Sequence, residues 1–239
     1  MASSDESKID ASKAGVFFAD ESDTVFLAAG SNYEQAEKMA REELKRLDPV
    51  RQAKRCGATV VEEKKTRTVV EVVFFGEPVR VTFPTGEVFY SSGDDEVPIW
   101  ERILLLHYFE GDSPPPTHTE LIGFAQVPSG GFYADAYRKR SHEPLASFFG
   151  ERPELLLEAG KSLGADREDI GDAAVRVTAL PKVQVVTVVH AADDEFPADA
   201  KLLYDSSVIA YFCTEDIAVL GGITAGRLIM AARKLRSDI

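Results

Sequence analysis

The densest group of potentially reactive side chains follows an apolar, β-branched run at residues 183–189. His190 comes directly after this run, and the next residues carry carboxylates at Asp193, Asp194, Glu195, Asp199 and Asp205. A carboxylate beside a histidine raises the pKa of the imidazole, because it stabilises the charged form. Several carboxylates that converge within a few ångströms also bind divalent cations. The pattern predicts a site where the apolar run ends.

Aromatic side chains are the second candidate feature. They cluster between residues 124 and 149, where they either fill the core or form the walls of a pocket for a planar ligand. We therefore predict a cofactor-binding site formed by His190, Asp194, Glu195, Asp205, Tyr133 and Arg138. The alternative is structural: Asp194 and Glu195 cap a turn while Asp205 binds backbone amides.

The remaining reactive residues give no recognised catalytic motif. Cys56 and Cys213 are the only cysteines and lie far apart, so the sequence contains neither a disulfide framework nor a four-cysteine metal site. The four histidines have no metal-ligand spacing. His107 lies on an apolar helix and is interpreted as a core histidine with a satisfied hydrogen bond.

Composition limits the classes of partner. The 239 residues carry a formal net charge of −13, which argues against binding to nucleic acid or to an anionic membrane surface. The N-terminal residues are polar and contain no apolar signal segment, so we expect a cytoplasmic protein with a disordered tail at residues 1–14.

The periodicity of apolar residues predicts an α+β fold with a mostly antiparallel sheet. Two helices are expected before residue 57, followed by a three-stranded meander over residues 68–90. A central hairpin is expected from residues 174–180 and 183–189, with a C-terminal helix from Thr214 packed on it. Because this hairpin is expected to be buried, replacement of Val186 by aspartate should unfold the protein.

The sequence contains only weak signals for the boundaries of the domain. Two apolar patches at residues 16–18 and 25–27 are typical of an edge hairpin, and three successive prolines at 114–116 predict an extended loop. No linker rich in glycine or serine divides the chain. We predict a single α+β domain over residues 15–239.

An ordered series of short segments resembles a known family. The segments are Leu47-Asp48-Pro49, Ile103 to Tyr108, Gly123-Phe124 with Gly131-x-Tyr133, Asp193 to Pro197, Leu203 to Ser207, and Thr214-Glu215-Asp216. From about residue 33 to residue 235 the chain resembles a family catalogued as a domain of unknown function in anaerobic bacteria and archaea.

The resemblance implies a setting rather than a reaction. Some members carry an added four-cysteine iron–sulfur segment, which this sequence lacks, and the family's setting suggests corrinoid or one-carbon metabolism. We therefore expect a non-catalytic accessory module that binds a small molecule or a cofactor, such as a corrinoid or another tetrapyrrole. Two alternatives remain open: a metal-assisted hydrolase or transferase that uses the acidic segment 193–205, and a protein-interaction subunit without a ligand.

Overall fold

The computed structural model describes residues 30–93, 95–111 and 119–237. The helices are α1 (Gly30–Leu44), α2 (Pro49–Cys56), α3 (Ile99–Glu110), α4 (Gly130–Arg140), α5 (His142–Phe149), α6 (Glu154–Ser162) and α7 (Thr214–Ser237). The strands are β1 (Thr59–Lys64), β2 (Arg67–Phe74), β3 (Glu77–Phe83), β4 (Glu87–Tyr90), β5 (Leu121–Gly123), β6 (Asp166–Glu168), β7 (Ala173–Leu180), β8 (Val183–His190) and β9 (Asp199–Asp205). The α+β class predicted from the sequence is confirmed.

Several sequence predictions fall outside the described residues. These are the disordered tail, the edge hairpin at residues 16–27, the loop of three prolines and His118. Within the described residues, no helix is both long enough and apolar enough to cross a membrane.

The first half of the chain forms a four-stranded antiparallel sheet in the order β1-β2-β3-β4. The predicted meander is confirmed as β2, β3 and β4, and β1 adds a further strand at the edge. Alternate residues of β2 are buried, among them Val70, Val72 and Phe74, which face the core. This alternation with a period of two is what a sheet with one covered face requires.

The second half forms a five-stranded antiparallel sheet in the order β5-β9-β8-β7-β6. The predicted central hairpin is confirmed, since β7 and β8 pair directly and β8 lies in the middle of the sheet. Residues 199–205 form β9 rather than part of an acidic loop, so the strand order continues beyond the predicted hairpin. One continuous hydrophobic core contains residues from both sheets.

Helices α5 and α6 cover the five-stranded sheet. Gly160 of α6 approaches β7 so closely that an added Cβ would lie 2.6 Å from a side-chain carbon of Val175. The sequence predicts that the C-terminal helix packs on the hairpin. This prediction is wrong about the main contact of the helix. Helix α7 packs chiefly on α6 and also on other helices, because α5 and α6 already occupy the inner face of the sheet.

Gly221 shows why α7 contains glycine in its interior. An added Cβ would lie 2.6 Å from the Tyr204 hydroxyl and 2.6 Å from the ring of Tyr137. The two tyrosine hydroxyls, 2.6 Å apart, form a buried hydrogen bond that fixes both rings. The glycine therefore allows α7 to approach this pair.

Replacing Gly221 with alanine is expected to lower the free energy of unfolding by about 1–3 kcal/mol, because overpacking outweighs the gain in helix propensity. The control is Gly131→Ala in α4, where an added Cβ meets nothing within 4 Å. That variant should be neutral or stabilised by up to about 1 kcal/mol. Urea unfolding measures both values, and equal stabilities would contradict the packing argument.

Candidate functional site

The structure separates the residues of the predicted site. His190 pairs with Asp199 at the beginning of β9, whereas Asp205 lies at the other end of that strand. The six residue steps from Asp199 to Asp205 span roughly 20 Å at about 3.3 Å per residue. His190 is exposed and shares the outer face of the sheet with Val186 and Val188, away from the covering helices.

The acidic segment mostly binds its own backbone. The carboxylate of Asp193 accepts hydrogen bonds from the amides of Glu195 and Phe196, at 2.8 and 2.7 Å. Asp205 accepts from the amide of Ser207 at 2.9 Å and so begins a short 3-10 helix. The side chains of Asp194 and Glu195 are exposed. The structural alternative, in which Asp205 binds backbone amides, thus holds for Asp205. The turn, however, is capped by Asp193 rather than by Asp194 and Glu195.

The two residues predicted from the aromatic segment lie on α4. Tyr133 is 53% exposed, and Arg138 forms an ion pair with Glu143 at 2.9 Å. Arg138 lines a cleft together with Asp199, the partner of His190 in the sheet.

A different group of titratable side chains meets where α3 ends and α7 begins. Nδ1 of His107 lies 2.8 Å from Oδ1 of Asp216, although the two residues are 109 positions apart. A carboxylate can only accept, so the imidazole donates this hydrogen bond. Burial by itself would lower the pKa of His107, but the hydrogen bond and the charge of Asp216 outweigh it and raise that pKa.

Asp216 is held in place by the start of α7. Its second oxygen accepts from the backbone amide of Cys213 at 3.2 Å, which is one half of a capping box. The thiol of Cys213 lies 3.1 Å from the same oxygen. Burial and this carboxylate raise the pKa of Cys213 to about 12, so the sulfur is a protonated thiol at neutral pH and not a nucleophilic thiolate.

The surroundings of His107 are negative. Glu110 lies three residues further along α3, on the same side of the helix. Its Oε1 is buried without a hydrogen-bond partner among the residues that the structure describes, and burial raises the pKa of this carboxyl group. Glu215 accepts from the Cys213 thiol at 3.3 Å. The carboxyl groups of Asp216 and Glu110 both act on the imidazole of His107 and favour a ligand with a positive centre.

The start of α4 lies beside this group. The hydroxyl of Thr214 donates to the carbonyl of Pro128, which links the first residue of α7 to the turn before α4. Gly130 is required in that turn because an added Cβ would lie 2.0 Å from the carbonyl oxygen of Phe124. The first turn of α4 carries Phe132, which is 91% exposed. A phenylalanine so exposed is a common mark of a binding surface.

Little in the sequence indicated this site. His107 stands in an apolar helix, and Asp216 reads as a carboxylate that complements the helix dipole. Both interpretations are compatible with the structure but omit the contact between the two side chains. Only a prediction of how α3 packs against α7 would have found it.

His107 is a single imidazole donor rather than part of a complete set of metal ligands. In the part of the chain that the structure describes, no group of three or more His, Cys, Asp or Glu side chains is arranged to hold a metal ion. Nε2 of His107 makes no hydrogen bond to the same residues, and the side chain is 27% exposed.

Comparison with known proteins gives the family. The chain belongs to the family described as Domain of unknown function (DUF3786), whose model matches residues 48–227. This match includes both α3 and the first part of α7, and therefore both partners of the His107–Asp216 pair. Neither the curated proteins nor the solved structures gave a match.

Proposed function

We propose that this protein is a non-catalytic cofactor-binding module and that Nε2 of His107 is the axial ligand of the cofactor's metal. The cofactor class is a corrinoid or another tetrapyrrole. The observation that carries the proposal is the 2.8 Å hydrogen bond from Nδ1 of His107 to Asp216, which leaves Nε2 for a ligand.

The geometry of this pair is the one that metal-binding histidines use. Such histidines almost always donate their second N–H to a carboxylate or a carbonyl, which fixes the ring and increases the basicity of the ligating nitrogen. Asp216 is itself fixed by the amide of Cys213, so the imidazole is oriented before any ligand arrives. A tetrapyrrole metal needs only one or two axial ligands from the protein.

Two further features support a planar, metal-bearing ligand. The carboxylate of Asp216, hydrogen-bonded to Nδ1 of His107, supplies a negative charge that would stabilise a metal cation at Nε2. The exposed aromatic ring of Phe132 lies in the first turn of α4, close in sequence to Pro128, which is hydrogen-bonded to the start of α7. There the ring offers an apolar surface to a macrocycle.

A metal-assisted reaction at residues 193–205 has less support. The carboxylates of Asp193 and Asp205 accept hydrogen bonds from backbone amides, and Asp205 stands at the far end of β9. Among the residues that the structure describes, these carboxylates form no group of three or more ligands that could hold a metal ion.

The proposal predicts a nitrogen-ligated complex with added cofactor. Protein purified without oxygen should change the absorbance spectrum of cobinamide, a corrinoid without its own lower base, or of haem. After one-electron reduction, the cobalt(II) form should show nitrogen splitting in its electron paramagnetic resonance spectrum. His107→Ala should abolish both signals. Asp216→Asn should retain them with an affinity about 10- to 100-fold lower, because the ring loses its charged partner.

The matched control is His190→Ala, which removes an exposed histidine at the end of β8 and should leave both spectra unchanged. Binding should also strengthen as the pH rises through the pKa of His107, because Nε2 must lose its proton to ligate. Equal spectra from wild type and His107→Ala, or no spectral change with either cofactor, would contradict the proposal.

A further inference from the structure

A cleft of about 330 Å³ opens between the covering helices and β9, separate from His107. Its lining comprises Arg138, His142, Glu143, Ala146, Ser147, Pro197, Ala198 and Asp199. The volume is at the lower end of the range for small-molecule pockets. The lining combines an apolar part from alanine and proline with a few charged groups, as binding pockets commonly do.

His142 lines this cleft and is held by a hydrogen bond from β9. Among the described residues, β5 pairs with residues 203–205 of β9. Residues 199–202 of β9 lie beyond this pairing, and the amide of Leu202 donates a hydrogen bond to Nε2 of His142 at 3.3 Å. Burial lowers the pKa of His142, so the ring is neutral at neutral pH. Because Nε2 accepts, the single proton is on Nδ1, which remains able to donate.

The charges in and beside the cleft are balanced. Arg138 pairs with Glu143 at 2.9 Å on the helix side, and Asp199 lies 3.7 Å from Lys201 on the strand side. With His142 neutral, two cations and two carboxylates leave no net charge. A ligand with a single charge of either sign therefore gains little electrostatic stabilisation from the cleft as a whole. A ligand that carries both charges can interact with both walls.

We propose that this cleft binds a small zwitterion, an α-amino acid with a short apolar side chain. The carboxylate interacts with Arg138 and with the Nδ1 proton of His142, and the ammonium group interacts with Asp199. The side chain lies against Ala146 and Ala198. This ligand fits the volume, the charge balance and the apolar part of the lining together.

Isothermal titration calorimetry on the full chain distinguishes the ligand classes. L-Alanine is compared with propionate, which has only the carboxylate, and with ethylamine, which has only the ammonium group. L-Alanine should bind at least about 10-fold more tightly than either, a difference of about 1.4 kcal/mol. Arg138→Gln and Asp199→Asn should each weaken its binding by a similar factor.

Controls come from an exposed ion pair away from the cleft. Arg167→Gln and Asp169→Asn remove the partners of a contact at 3.7 Å and should leave the affinity unchanged. The proposal is overturned by the absence of alanine binding, by propionate binding as tightly as alanine, or by unchanged affinity in the cleft variants. Because Arg138 and Asp199 do not contact His107, a negative result here leaves the cofactor proposal standing, and the reverse also holds.

Discussion

Replacing Arg227 with alanine is expected to lower the free energy of unfolding by about 3–5 kcal/mol, since it leaves a buried charge without its partner. Arg227 extends from α7 to both carboxylate oxygens of Glu101 on α3, at 3.1 and 3.2 Å. Glu101 is only 6% exposed and also accepts a hydrogen bond from Tyr90. The guanidinium lies about 5 Å from the ring of Phe75, so the same residue joins α3, α7 and the first sheet.

Chemical unfolding followed by circular dichroism measures this loss. Arg46→Ala is the control, because its ion pair with Glu43 is exposed and should contribute less than about 1 kcal/mol. The double variant Arg227→Met with Glu101→Leu should be more stable than Arg227→Ala, since it removes both charges. An Arg227→Ala protein as stable as the Arg46→Ala protein would show that the pair does not stabilise the fold.

Replacing Val185 with aspartate is expected to unfold the protein, at a cost above about 4 kcal/mol. Val185 is 0% exposed and faces the main core from the middle of β8. Its neighbours on the adjacent strands are Val177 and Tyr204, and neither can pair with a carboxylate. The new charge would be buried without a partner.

Val186→Asp provides a matched comparison on the same strand. Val186 is equally buried but faces the outer side of the sheet, where Arg176 is its neighbour on β7. The guanidinium already binds Glu168 through Nε at 2.6 Å, and its other N–H groups can pair with the new carboxylate, so the cost should fall to roughly 1–3 kcal/mol. This revises the expectation from the sequence that Val186→Asp unfolds the protein. Thermal melting compares the stability costs of the two variants. A stable Val185→Asp protein would contradict the assignment of Val185 to the face of the sheet that packs on the main core.

Local patterns in the sequence were sufficient to predict most of the elements. Asp48 caps α2 through the amide of Arg51, and Gly57 ends it with a φ of 68°, as the Asp-Pro and glycine signals predict. The β-branched run at residues 183–189 predicts a buried strand because its side chains suit a sheet covered on both faces. These signals involve residues close together in the chain, and their physical causes are equally local.

The candidate sites depend on tertiary structure. The predicted site assumed that residues 193–205 fold back on His190, but β9 continues the sheet and carries Asp205 about 20 Å away. His107 and Asp216 meet because α7 packs against α3, and Arg138 reaches Asp199 because α5 covers the edge of β9. The sequence therefore determined the fold class and the elements, whose signals are local. The packing of elements distant in the chain decided which side chains meet, because that depends on the shapes of their buried surfaces.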